Sequence, residues 1–266
     1  MGSWALDDEK STRSRPTPGL SEQLGRLAGT LVGPLFALGS RVRGARLFHP
    51  EGILFEAAVR PATARGPLAP LAQRLQGRAL VRVSGGWWKG AREWPDLLGV
   101  AIRFGGDHLP AAAAKPTDQD LLFVTARNLK RIPFAFLTTN QHDFLSNHYY
   151  ATSPFQVEGV GLVEFRVVPD PVRFSGSRRY RLERATSEHL AVFRLECRLM
   201  GHIAWLPLVD LHLQNRADIS DQDVTFYPFN AGRGVIPRGF AHELRRATYP
   251  MSHRLRGSSE ERPPAG

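Results

Sequence analysis

Over residues 159–214 the chain alternates between apolar and polar positions. In 190–200, Ala191, Phe193, Leu195, Cys197 and Leu199 take one face, and Arg194, Glu196 and Arg198 take the other. This is the pattern of a half-buried antiparallel strand. Residues 161–168, 178–184 and 203–214 predict further strands, and short polar connections such as ATSEH at 185–189 predict a β-meander. Upstream, ALVRVS at 79–84, DLLGVAIRF at 96–104 and the apolar run after His49 read the same way. The strand count approaches about eight, enough for an up-and-down barrel that closes its own edges.

Helices are expected outside these strands. Leu24, Leu27, Leu31, Leu35 and Leu38 follow it within 20–44, interrupted by Pro34. A short helix is predicted over 66–78, bounded by Gly77, and an aromatic-rich helix over 132–150. A C-terminal helix should end or kink at Tyr249, because Pro250 disfavours helical backbone in the residue before it. Residues 109–118, with four alanines and two prolines, read as a loop. Residues 1–19 and 258–266 are polar and aperiodic, which predicts a disordered arm and tail. The expected organisation is α+β, with an N-terminal helical segment at 20–44 and one domain over 45–257.

Composition narrows the function classes. The single cysteine, Cys197, excludes an internal disulfide framework and a cysteine-rich metal site, and a reducing cytoplasm is the simplest compartment. The net charge of +10 is almost wholly arginine. These arginines are scattered without interleaved aromatics, so no nucleic-acid footprint is expected. Arginine also pairs bidentately with carboxylates. The apolar part of the first helical segment, 27–38, is short and glycine-interrupted, so membrane insertion is not expected.

The candidate chemistry begins near the C-terminus. Arg245 precedes Tyr249 by four residues, which on a helix places the guanidinium against the phenol. A nearby cation favours phenolate, a hard anionic donor suited to ferric iron. A basic helix with a buried tyrosine would show the same residues, so other stretches must decide.

Those stretches share one resemblance. The run R-x-x-x-Y-P at 245–250, followed by Ser252, His253, Arg254 and Arg256, resembles the haem-ligand signature of catalases. Arg46 and His49, in R-x-x-H-x-x-G, resemble the segment that carries the distal histidine. Arg82 and Ser84, two apart on a strand and so on one face, match a catalase pair. Asp96, Gly99, Ala101, Arg103 and Phe104 fit the catalase pattern D-x-x-G-x-A-x-(K/R)-F. Thr125 falls where catalases carry a distal asparagine, and Asn128, three residues on, fills that place if the alignment shifts. P-F-N at 228–230 is similar to the catalase stretch between barrel and proximal helix.

The resemblance covers about 46–257 and implies a minimal catalase-like haem protein. Its fold would be an antiparallel catalase-like β-barrel with flanking helices, holding haem b between the barrel and a C-terminal proximal helix. Tyr249 would be the iron ligand, with Arg245 as its cationic partner. Arg46, Arg82 and Arg256 would meet the propionates, and Phe134 or Phe136 the porphyrin face. His49, Ser84 and Thr125 would form the distal side, with His49 as acid–base. The implied function is a hydroperoxidase that reduces hydrogen peroxide or organic peroxides with an unidentified electron donor. Because threonine offers one donor on a short stem, weak dismutation and more peroxidase-like activity are expected. A haem enzyme rearranging lipid hydroperoxides and a non-catalytic haem-binding protein are the alternatives. A homodimer is compatible with the sequence.

Overall fold

The alternating segments pair into one antiparallel sheet that closes on itself. The computed structural model describes residues 51–62, 66–86, 93–128 and 135–238. Its elements are β1 (Gly52–Pro61), α1 (Ala69–Leu75), β2 (Gly77–Gly85), β3 (Leu98–Gly106), β4 (Gln119–Val124), β5 (Tyr149–Tyr150), β6 (Phe155–Val157), β7 (Gly161–Pro169), α2 (Arg178–Ser187), β8 (Val192–Leu199), β9 (Leu206–Arg216) and β10 (Val235–Pro237). The order β7-β5-β4-β3-β2-β1-β9-β8, with β8 pairing back onto β7, makes an eight-stranded barrel. β6 and β10 extend the sheet beside β7.

Period-two patterning sends one set of side chains inside. Phe55, Ala57, Val81, Val83, Val100, Ile102, Phe123, Phe165, Phe193, Leu195, Cys197 and Leu211 belong to this core and are fully or almost fully buried. Each large side chain among them contributes on the order of 1.5–3 kcal/mol by leaving water. Helix α1 adds Leu71, Ala72 and Leu75 to the same core.

Two local expectations fail. Residues 178–187 form α2 instead of a strand, because the buried residues are Arg178, Leu182, Ala185 and Thr186, a helical spacing. Ser177 caps its N-terminus, accepting from the Tyr180 amide, and Arg179–Glu183 and Arg184–Glu188 pair at i,i+4. ATSEH is therefore the last turn of this helix, closed by His189 at φ 58° and by the Leu190 amide donating to the Ala185 carbonyl. In 135–150 the expected helix is replaced by two 3₁₀ turns, at 135–137 and Phe144–Ser146, and β5. Side chains there capture the backbone. The Asn147 amide donates to the Asn140 and Asp143 carbonyls and accepts from the Asn140 N–H, while Asp143 accepts from the Leu145 N–H. Such local bonds compete directly with the helical ladder. The expected arm, N-terminal helical segment, proximal helix and tail lie outside the described residues.

Candidate functional site

Strand alternation turns Leu80, Arg82 and Ser84 outward, opposite to Ala79, Val81 and Val83. In register on that outer face are Leu54, Arg82 and Ala101, and beside them Gly52, Ser84, Gly99 and Val124. The second row carries little side-chain bulk; Ser84 and Gly99 in it are buried, and Gly52 and Val124 half-buried. Leu97, Ala126 and Ala135 pack with Val124 at its end.

Arg82 crosses this surface over Gly52. A Cβ at position 52 would stand 2.6 Å from Nε of Arg82, so glycine is what lets the guanidinium pass. The guanidinium is gripped by Asp221: Nε donates to Oδ1, and Nη2 to Oδ2 at 2.9 Å, while the Gly52 amide donates to Oδ2 at 3.0 Å. The Arg82 side chain is 6% exposed and that of Asp221 19%. The motif aspartate has an equally local task. Asp96 accepts from the Gly86 and Leu97 amides and so closes the β2–β3 connection.

Arg103 and Asp120, opposite one another on β3 and β4, form a wholly buried pair. Nε and Nη2 of Arg103 donate to the two Asp120 oxygens, both at 2.8 Å. Nη1 donates to the Ala111 and Ala112 carbonyls, and Nη2 also to the Thr225 carbonyl. All five guanidinium donors are thus used. Asp120 accepts in addition from the Tyr227 amide and from Nδ2 of Asn230. This network, together with Gln119 donating to the Asn230 and Val235 carbonyls, pins the 219–235 segment, including P-F-N, against the barrel.

Thr125 sits at the end of β4 and is 9% exposed. Its Oγ1 accepts from the Leu98 amide at 3.1 Å and lies 2.7 Å from Oγ1 of Thr139, which reaches the Ala135 carbonyl at 2.8 Å. Thr139 has a single hydroxyl proton. The arrangement that satisfies every group therefore runs from the Leu98 N–H through Thr125 and Thr139 to Ala135. The Thr125 hydroxyl is held inside the protein by this series. Asn128 is exposed and Phe136 half-buried.

Of the predicted site residues, the structure brings Arg82 and Ser84 onto one face and places Thr125 one residue beyond Val124, with its hydroxyl turned into the interior. Arg46, His49, Phe134, Arg245, Tyr249 and Arg256 lie outside the described residues. Sequence reasoning missed Asp221. It lies 139 residues from Arg82 in an irregular segment, and no spacing rule connects them. Two other reactive groups are quiet. Burial pushes the Cys197 thiol up to about 12. Tyr149 is held as a neutral phenol, chiefly by burial and further by Asp143, and donates to the Phe144 carbonyl at 2.7 Å.

A haem fits the donor chemistry of this face in part. The Gly52–Ser84–Gly99 row adds little bulk, but Arg82 lies over Gly52, and Ser84 and Gly99 are buried, so the row is not an open surface; Arg82 already holds a carboxylate. Its partner is already Asp221, so a propionate would have to share that guanidinium or displace the aspartate.

No protein-family model and no curated protein matches the sequence. Solved structures do match the fold. A fungal catalase superposes with a TM-score of 0.53 at 13% identity, covering 84% of this chain and 62% of the catalase. Catalase A from Saccharomyces cerevisiae gives 0.53 at 12% identity, with 83% and 63% covered. The chain thus spans less than two thirds of the length of the catalases it matches. Identity at this level shows the fold alone, a catalase-like antiparallel barrel.

Proposed function

We propose that this protein binds haem b against the outer strip of the barrel and acts as a haem-dependent hydroperoxidase, with weak dismutation and stronger oxidation of donor molecules. The observation that carries the reading is the row Gly52, Ser84, Gly99 and Val124, in register on the outer face of a catalase-like barrel. His49 precedes Gly52 by three residues, so even an extended chain keeps its Cα within about 10 Å of the row. Thr125 adjoins the other end, roughly 14 Å away across three strand spacings.

A bound haem would supply the redox chemistry with peroxide. Tyr249, its phenolate favoured by Arg245, would hold the iron, and Arg46, Arg82 and Arg256 would meet the propionates. His49 would take the proton from the attacking peroxide oxygen and return it to the leaving oxygen. Ser84 lines the strip beneath. The hydrogen-bonded Thr125 hydroxyl leaves His49 to orient the peroxide largely alone. This favours cleavage over the second, more demanding oxidation of another peroxide, because lost positioning costs rate steeply.

Haem reconstitution followed by visible absorption tests the reading. The wild-type protein should give a ferric spectrum of a phenolate-ligated haem. Tyr249→Phe should keep the fold and lose that spectrum. A wild-type protein that takes up no haem, or a variant with an unchanged spectrum, refutes the assignment.

A further inference from the structure

Where β5 meets β7, the outer wall of the barrel holds a cavity of about 120 Å³ beside Trp205, the residue before β9. Two of its walls are aromatic. Tyr150 and Trp205 meet edge to face, with ring centroids 6.4 Å apart and planes at 63°. A third wall is the cross-strand pair of Glu164 on β7 and Arg198 on β8. Nε of Arg198 donates to Oε2 of Glu164 at 2.9 Å, and the guanidinium lies 4.5 Å from the Trp205 ring centroid. This pair is satisfied internally and adds no net charge.

What remains in the lining is a surplus of donors. Arg127, two residues past Thr125, is exposed and borders the cavity. Among the described residues no acceptor meets its guanidinium, the Tyr150 hydroxyl or the Trp205 indole N–H. With Arg198 offset by Glu164, Arg127 leaves the lining one positive charge in excess. The surroundings are balanced, since Arg166 pairs with Glu196 and Glu158 lies outside the lining. Recognition here therefore rests on direct bonds and shape, not on a long-range field.

A carboxylate answers this set of donors, because its two oxygens engage a guanidinium fork in a planar, bidentate way and also accept a phenolic proton. Ring walls favour a ring on the same molecule, which gains from edge-to-face contact. Sites for drug-sized ligands run to about 300–1,000 Å³, so this smaller cavity takes a single ring. We propose that it binds a small aromatic carboxylate, with the carboxyl group on Arg127 and the Tyr150 hydroxyl and the ring against Tyr150 and Trp205. The site stands independently of the haem reading.

Titration of the full chain with benzoate tests it, followed by the indole N–H resonance of Trp205, which is identified by its absence in Trp205→Phe. Benzoate should shift that resonance saturably. Benzyl alcohol keeps the ring without the charge and should bind about tenfold or more weakly, because the charge-assisted bonds are lost. Cyclohexanecarboxylate keeps the charge without the aromatic ring and should lose about threefold. Arg127→Gln removes an exposed guanidinium that has no partner, so thermal unfolding should stay unchanged while benzoate binding weakens about tenfold or more. Tyr150→Phe keeps the ring and should lose about threefold with the hydroxyl. No saturable shift with benzoate, or unchanged affinity in Arg127→Gln, overturns the proposal. So does inorganic phosphate competing as well as benzoate binds, which would reduce the site to a lone cation.

Discussion

Replacing Arg103 by lysine keeps the charge and should still cost much of the fold's stability. Arg103 places five donors on five acceptors, two on Asp120 and one each on the carbonyls of Ala111, Ala112 and Thr225, and its side chain has no solvent exposure. An ammonium brings three donors from a single point, so at least two of those five bonds go unmade; Oδ2 of Asp120 keeps the Tyr227 amide and Asn230, which leaves at least one acceptor without a partner. A buried polar group without a partner costs about 1–3 kcal/mol, which sets the least expected loss. The stacking of the guanidinium over Phe226, 5.1 Å from the ring centroid, is lost as well. Domains of this kind hold only about 5–15 kcal/mol in all. Urea denaturation of Arg103→Lys should therefore move the midpoint far down at an unchanged slope. Hydrogen exchange should report earlier opening at the Tyr227 amide, whose bond to Asp120 depends on the pair. The double replacement Arg103→Met with Asp120→Leu removes both charges, but it strands three carbonyls and the Tyr227 amide and should recover little. A loss below about 1 kcal/mol in Arg103→Lys would refute the reasoning, since two unmade buried bonds cannot cost so little.

Asp221→Asn removes the carboxylate charge that grips the buried Arg82 guanidinium through two bonds and should lower the stability of the haem-free protein by about 3 kcal/mol. If a propionate meets Arg82, haem-loaded protein should lose clearly less, and equal losses with and without haem would remove Arg82 from the propionate set. For Glu93, burial raises the carboxyl, but the Arg178 amide and the His142 ring hold it net below its ordinary 4.5. The unfolded chain then binds the proton more readily. The stabilisation from Glu93 is complete above 4.5 and is lost as pH falls below it, through the folded value. Glu93→Gln should flatten this acid limb in denaturation midpoints taken between pH values above and below 4.5, and an unchanged limb would contradict the assignment. Thr125→Asn must break the series linking Leu98, Thr125, Thr139 and Ala135, at a cost of about 1–3 kcal/mol. It should raise oxygen evolution relative to donor oxidation, and an unchanged ratio of the two rates would show that position 125 does not face the peroxide.

The alternation of Phe193, Leu195 and Cys197 with Arg194, Glu196 and Arg198 determined a half-buried strand without any structure, because side chains on a pleated backbone must point to alternate faces. Repeated along the chain, that rule sufficed for an antiparallel barrel of about the right strand number. The outward pairing of Arg82 with Ser84 followed from the same period. Where several periods fit a short polar stretch, the sequence was ambiguous. At 178–187 burial of Leu182 and Ala185 against the rest of the protein, together with the Ser177 cap, decided for helix. At 140–147 the side chains of Asn140, Asp143 and Asn147 took the backbone bonds that a helix needs. The partners of the charged groups were also invisible. Asp221 reaches Arg82, and the Thr225 carbonyl and Tyr227 amide reach Arg103 and Asp120, across more than 100 residues. Such contacts depend on where the closed barrel brings an irregular segment, and local periodicity carries no record of a contact made through space.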